Sequence, residues 1–225
     1  MKLSPPPNLR RKSQQPGFFI TFEGIEGCGK TTQCHRLAIG LRKQGFQVVE
    51  TREPGGTYLA ERIRSLFLKK DKRKGTPESL TPQCEAALIF ASRSQHVTHA
   101  IAPALQQGHI VLCDRFSDST LAYQGYGRGL DVNTLLAFHH FVAGHLIPDL
   151  TFLFDLPVQQ GLGRRKGTGI SNRLDQETRS FHERVRQGFL SLAGIHSDRI
   201  MVLNGRQAPE IIASQVANQT LKMLQ

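Results

Sequence analysis

Residues 18–33 read Phe18-Phe19-Ile20-Thr21-Phe22-Glu23-Gly24-Ile25-Glu26-Gly27-Cys28-Gly29-Lys30-Thr31-Thr32-Gln33. The first six form an apolar run that suits a buried strand, and the next eight carry the pattern G-x-x-x-x-G-K-T ahead of a segment that can be helical. A chain that wraps a phosphate needs φ values that a Cβ disfavours and bare backbone N–H groups aimed inward, and glycine supplies both. The helix N-terminus that follows adds partial positive charge and unpaired donors. Lys30 can then reach the β- and γ-phosphates, and the Thr31 hydroxyl can sit on Mg²⁺. A glycine-rich turn with a surface lysine is the plainer reading, but these fixed positions should coincide by chance in roughly one chain of this length in a hundred. Gly24, Ile25, Glu26, Gly27, Cys28, Gly29, Lys30, Thr31 and Thr32 are therefore candidate contacts of a nucleoside triphosphate.

The chain has 225 residues, enough for one α/β domain with a substantial core. Its formal charge of +11 suits polyanions, whether nucleic acid, an anionic membrane or nucleotides. Lys2, Arg10, Arg11 and Lys12 lie within residues 1–16, which hold Pro5-Pro6-Pro7, no acid and few apolar residues. That segment is expected to be a disordered leader without the apolar centre of a signal peptide, followed by a single domain over residues 17–225. No run approaches transmembrane length. Cys28, Cys34, Cys84 and Cys113 show neither C-x-x-C pairing nor zinc spacing, which points to a reduced, cytoplasmic protein.

After the loop, Cys34, Leu37, Ala38 and Leu41 recur at helical spacing up to Gly45, and a strand is expected over residues 46–51. Arg52-Glu53-Pro54-Gly55-Gly56 then turns at the carboxyl end of that strand, where open α/β sheets bind ligands. Residues 58–68 look helical, residues 69–76 read as a basic loop, and Thr81-Pro82 starts a helix reaching about Gln107. On it Phe90 and Arg93 stand three apart and share a face. A strand over residues 109–113 ends in Asp114-Arg115, a carboxylate delivered near Mg²⁺ and a guanidinium delivered to an anion. Motor ATPases with this loop usually end the strand in two acids, so Asp-Arg counts against a motor. Residues 116–130 are dense in hydrogen-bonding groups, among them Ser119, Thr120, Tyr123 and Gln124. Asp131 can cap a helix to about His145, whose His139, His140 and His145 read as helix-surface or interface residues, not metal ligands. A strand over residues 150–155, a helix from Pro157 into the basic stretch Arg164 to Arg173, a helix over 176–193, a strand over 199–203 and a closing helix over 209–224 complete the chain. About five apolar strands alternating with helices give a parallel sheet covered on both faces.

Taken together, the loop, the turn at Arg52, Phe90 with Arg93, Asp114-Arg115-Phe116 with Ser119 and Ala122-Tyr123-Gln124, and the basic stretch ending near Arg173 resemble the thymidylate kinase family in its bacterial form. The resemblance covers nearly all of the chain from Phe18. It implies the P-loop nucleoside monophosphate kinase fold with a mobile lid over about 164–174, and transfer of the ATP γ-phosphoryl group to dTMP, giving dTDP and ADP, in dTTP synthesis. It implies Mg²⁺ with ATP, a homodimer through the helices around 86–105 and 135–142, and no nucleic acid or membrane partner. By the same resemblance Phe90 stacks on thymine, Arg93, Thr120 and Gln124 contact the base, Tyr123 packs beside the sugar and Glu26 meets its 3′-hydroxyl. Arg52 and Arg115 grip the acceptor phosphate with Ser119 nearby, and Thr31 and Asp114 attend the metal. The loop carries Glu26 and no arginine, so the family's extra catalytic arginine is expected in the lid, with Arg164 and Arg173 the first choices beside Lys30. Phe116 stands where tyrosine or histidine is common, and Asn204 where an acid often precedes the adenine-side turn. The alternatives are another deoxynucleotide or nucleoside kinase, or a nucleotide-dependent switch or nucleic-acid-binding ATPase; the chain lacks the N-K-x-D guanine-reading motif.

Overall fold

A computed structural model describes residues 16–68, 79–167 and 172–224. Most of the expected leader (residues 1–15), the basic loop over 69–76 and lid residues 168–171 lie outside the described residues.

The opening apolar run is β1 (Phe18–Glu23), the middle strand of a five-stranded sheet. It pairs with β3 (Ile110–Asp114) on one side and β4 (Leu150–Asp155) on the other. Outside these lie β2 (Val48–Arg52), against β3, and β5 (Ile200–Asn204), against β4, and every pairing is parallel. Side chains alternate across a pleated sheet, so both faces of β1 and β3 must be apolar if both are covered. Ile20, Phe22, Ile110 and Leu112 enter one core cluster, whereas Phe19, Val111 and Cys113 enter a second on the opposite face.

Helix α1 (Lys30–Lys43) turns Cys34, Leu37, Ala38 and Leu41 into the first cluster, beside α9 (Pro209–Leu224). Between β2 and β3 run α2 (Tyr58–Leu68) and α3 (Pro82–His96), the latter continuing through a π turn at Val97–Ile101 into α4 (Ala102–Gln106). Thr81 caps α3 by accepting from the Cys84 amide at 3.2 Å. After β3, α5 (Ser117–Thr120) passes into a second π turn, Leu121–Gly127, then α6 (Val132–Ala143) follows; α7 (Val158–Gly167) and α8 (Arg179–Ile195) flank the last crossover.

Several bounds differ from expectation for local reasons. The second strand starts at Val48, because Phe46 still belongs to the turn closing α1 and donates to the Leu41 carbonyl. The helix expected from residue 176 starts at Arg179, where Thr178 caps it, after a short 3-10 turn at Leu174–Gln176. α6 stops at Ala143 before Gly144, whose φ of 61° leaves the helical region. His139 is not a surface residue: α6 lays it over the β3–α5 corner, edge-on to Phe116, with Nε2 at 3.0 Å from the Leu146 carbonyl. Burial, with Arg93 nearby, pushes its pKa down to about 4. Among the described residues no set of three His, Cys, Asp or Glu could hold a metal ion, and no helix is long and apolar enough to cross a membrane.

Candidate active site

The carboxyl ends of β1, β2 and β3 open onto one cleft, and the functional side chains are delivered there by the turns that follow each strand. After β1, Gly27 and Gly29 take φ of 70° and 99°, conformations that a Cβ would strain. Gly29 caps α1 without a side-chain hydrogen bond, and the first turn of α1 holds no acid, so its donors and dipole are left for an anion. Lys30 is folded back into the loop, with Nζ donating to the Ile25 carbonyl at 2.8 Å and 3.4 Å from Cys28 Sγ. Gly24 offers its carbonyl to Arg115, Ile25 is buried under the loop, and Thr32 is exposed one position beyond Thr31. The Thr31 hydroxyl donates to Asp114 Oδ2, which brings the two expected metal contacts together. A hydroxyl beside one carboxylate, both oxygen donors, fits a hard divalent cation that completes its shell with phosphate oxygens and water.

Beyond the loop, arginines converge. Arg52, the last residue of β2, meets both Glu61 oxygens at 3.1–3.2 Å. Arg115, after β3, takes a φ of 73° and donates to the Gly24 carbonyl, Ser119 Oγ, Glu26 Oε1 and Tyr123 Oη at 3.0–3.2 Å. Sequence reasoning missed Arg64, which lines the same cleft and donates to the Pro54 carbonyl at 2.7 Å. Burial, then the neighbouring Arg52 and Arg115, press its guanidinium below its ordinary pKa, the mark of cations crowded where an anion is wanted. The signal was present: Arg64 lies on the stripe of α2 that carries buried Ala60 and Phe67, an unusual place for a cation. Glu23 was also missed. It is fully buried at the end of β1, accepts from the Phe116 and Ser119 amides at 2.7 and 3.3 Å, and so holds the turn that aims Arg115. Burial and then Asp118 push its pKa up to about 8.

Glu26 is buried too. Burial opposes its charge, but Arg115 and Lys30 outweigh that and its pKa falls below the usual range. Its Oε1 is occupied by Arg115 and by the Tyr123 hydroxyl at 2.6 Å, whereas Oε2 has no hydrogen-bond partner among the described residues. His182 Nδ1 stands 3.6 Å from that oxygen, and nothing in the periodicity of α8 singles His182 out.

The far end of the cleft is lined by Phe67, Ile89, Arg93, Thr120 and Gln124. Arg93 is 1% exposed; its Nε and Nη2 bind Glu53 Oε2 at 2.8 Å, and Nη2 also donates to Thr120 Oγ1 at 2.8 Å. Its Nη1 has no partner among the described residues. Thr120, Tyr123 and Gln124 reach one cleft because positions three and four apart share one face of a helical segment. Phe90 corrects the expectation: it does not line the cleft but stacks on Phe138 of α6, ring centroids 5.4 Å apart. One residue is a rotation of about 100° on a helix, so its neighbour Ile89, a full turn before Arg93, takes the cleft side instead.

The basic stretch divides. On α7, Gly161 packs so close to the loop that a Cβ there would stand 2.5 Å from the Glu26 carbonyl oxygen. Arg165, one turn on, lines the cleft and pairs with Asp175, while Arg164 reaches the Gly205 carbonyl at 3.2 Å. Arg173, a first choice from sequence, is turned to Glu85 at 2.7 Å and to the Phe67 carbonyl, its guanidinium over the Phe67 ring. Asn204 caps its own turn by accepting from the Arg206 amide at 3.0 Å, work that an acid there would do equally.

This arrangement matches a known family. The family model for thymidylate kinase matches residues 22–216. The chain belongs to the thymidylate kinase family. It is 48% identical over 208 residues to the thymidylate kinase of Geobacter sulfurreducens, covering 90% of this chain and 95% of the relative. It is 49% identical over 200 residues to that of Thermomicrobium roseum, covering 88% and 92%. Among solved structures, the crystal structure of thymidylate kinase from Ehrlichia chaffeensis superposes with a TM-score of 0.70 at 35% identity, covering 93% of this chain and 99% of that one.

Proposed function

We propose that this protein transfers the γ-phosphoryl group of ATP to dTMP, giving dTDP and ADP. The observation that carries the choice of acceptor is the pair of polar groups at the base end of the cleft. Arg93 keeps a buried donor, Nη1, without a hydrogen-bond partner among the described residues, and the amide nitrogen of Gln124 is committed to Glu85 at 2.7 Å, so its carbonyl oxygen is left to accept. A donor beside an acceptor complements the O4 and N3–H edge of thymine or uracil and opposes the reversed edge of cytosine. Phe67 and Ile89 give an apolar wall for the ring. An ADP-release assay over dTMP, dUMP, dCMP and dGMP should show dTMP strongly preferred and dCMP excluded. Turnover of dCMP on a par with dTMP would overturn this reading.

In the same reading, Arg52, Arg64 and Arg115 hold the acceptor phosphate with Ser119 nearby, and Glu26 Oε2 accepts the sugar 3′-hydroxyl. The loop from Gly24 to Thr32 holds the ATP phosphates, and Thr31 and Asp114 would hold Mg²⁺, which would neutralise phosphate charge. Phosphoryl transfer needs alignment and cations more than covalent help. Arg165, facing the cleft, is the cation best placed to join Lys30. Arg165→Ala should lower kcat at least about tenfold, roughly 1.4 kcal/mol, with smaller changes in KM for ATP. Arg173→Ala should spare kcat and raise KM for dTMP instead. Steady-state kinetics on both variants decides, and the reverse pattern would return the role to Arg173.

The Tyr123 ring lies between the Glu26 carboxylate and the Phe181 and Phe189 rings, where it borders the sugar. Tyr123→Leu should narrow the preference for dTMP over ribothymidine monophosphate by about tenfold. An unchanged ratio would remove Tyr123 from the sugar site. Phe138 and Phe141 of α6 are exposed large apolar side chains, which supports a homodimer built on α3 and α6. A cytoplasmic location belongs to the same proposal.

A further inference from the structure

Glu85 is wholly buried on α3, one turn before Ile89, and among the described residues its hydrogen-bond partners are Gln124, Arg128 and Arg173. Its Oε1 accepts from Gln124 Nε2 at 2.7 Å and Arg128 Nε at 3.3 Å, and its Oε2 accepts from Arg128 Nη2 at 3.1 Å and Arg173 Nη2 at 2.7 Å. Arg128 is held in turn by Glu177 at 2.6 Å, so two acids and two arginines close a neutral cluster. A carboxylate offers about four lone-pair positions, and donors fill all of them here.

From this we infer that Glu85 is a positioning residue that sets base specificity by fixing which end of the Gln124 amide faces the cleft. The inference rests on the reading of the cleft as a dTMP site. A terminal amide is nearly symmetric in shape, so packing alone distinguishes its oxygen from its nitrogen poorly. An acceptor-only partner distinguishes them strongly. Turning the Gln124 oxygen toward Glu85 would set two acceptors at hydrogen-bond distance and leave a buried carboxylate short of a donor. The nitrogen therefore points to Glu85 and the oxygen to the base, where it accepts N3–H. Arg128 and Arg173 complete the device, since their donors fill the remaining lone-pair positions of Glu85 and fix its carboxylate in place.

The same reasoning gives the behaviour of Glu85→Gln. The two arginines would draw the new side chain's oxygen to the Oε2 position, which places its NH₂ against Gln124. Gln124 must then reverse and show NH₂ to the cleft, against the N3–H of thymine. Arg93 still presents its donor, so cytosine is admitted only in part. The expected result is a fall of at least about tenfold in kcat/KM for dTMP and a narrowing of the dTMP to dCMP ratio by a similar factor, with KM for ATP little changed.

The decisive experiment measures kcat/KM for dTMP, dUMP and dCMP in the parent, Glu85→Gln, Gln124→Glu, and the exchange Glu85→Gln with Gln124→Glu. Gln124→Glu alone opposes two carboxylates and should lose dTMP turnover. The exchange restores one donor facing one acceptor and should recover most of it. A Glu85→Gln enzyme that is slower but keeps the parental dTMP to dCMP ratio would show Glu85 to be structural only and overturn the inference. Should Glu85→Gln not fold, the exchange against Gln124→Glu decides, and no recovery overturns it. Parental enzyme that already accepts dCMP as readily as dTMP would instead defeat the dTMP reading itself.

Discussion

Lys30→Met is expected to fold as the parent does and to lose phosphoryl transfer by about a thousandfold. Lys30 is 6% exposed, so its stem is part of the loop's packing, and methionine keeps that unbranched volume while removing the ammonium. The structural loss is the hydrogen bond from Nζ to the Ile25 carbonyl, worth about 1 kcal/mol, and a weaker one to Cys28 Sγ. On the proposed reading the catalytic loss is larger, because the ammonium would neutralise negative charge on the transferring group, and no other lysine lines the cleft among the described residues. The defect should fall mainly on kcat, since an interaction that strengthens in the transition state contributes little to ground-state binding. Circular dichroism and thermal unfolding would establish the fold, and single-turnover ADP formation the rate. A folded Lys30→Met enzyme with parental kcat would remove Lys30 from the chemistry.

What could be read in advance follows the range over which the chemistry is written. The loop from Gly24 to Thr31 could be placed at the cleft in advance because its glycines, lysine and threonine form one short pattern at the end of an apolar run. Asp114-Arg115 was legible for the same reason, as the end of an apolar run. Partners brought together by packing were not. Glu23, Glu53 and Glu85 look like any surface glutamate in the sequence, yet all are buried, because their partners come from other elements: Ser119, Arg93 and Arg173. Arg173 read as a lid cation for want of a visible partner, and that partner is a carboxylate 88 positions away. The exchange of Phe90 for Ile89 is a subtler case. Both lie one turn from Arg93, and the presence of α6, with Phe138 offering a ring to stack on, decided which of the two turned away.

Arg93→Met should have the largest effect on stability, and its pH dependence should reveal the cause. The Arg93 guanidinium lies over Phe116 at 4.9 Å and Phe90 at 5.6 Å and neutralises Glu53, which is itself buried. Burial alone would raise the Glu53 pKa, but Arg93 and then His96, whose Nδ1 is 3.1 Å from Oε1, hold it below its ordinary value of 4.5. A depressed carboxylate adds stability above about pH 4.5 and gives it up as pH falls through the folded value. Methionine keeps much of the apolar volume but leaves Glu53 with His96 alone, so unfolding free energy should drop by about 3–5 kcal/mol at pH 8. The sign of the pH dependence then reverses. Burial now dominates, Glu53 prefers to be protonated when folded, and the deficit should shrink as pH is lowered from 8 to 5. Removing both charges in Arg93→Met with Glu53→Gln should recover much of the loss, because a neutral pair carries no uncompensated charge. Activity should separate from stability: the double variant folds yet lacks the Nη1 donor, so kcat/KM for dTMP stays at least about tenfold below the parent. Urea unfolding at pH 5 and 8 on the three proteins tests this, and an equal deficit at both pH values would show that Arg93 acts through packing and not through Glu53.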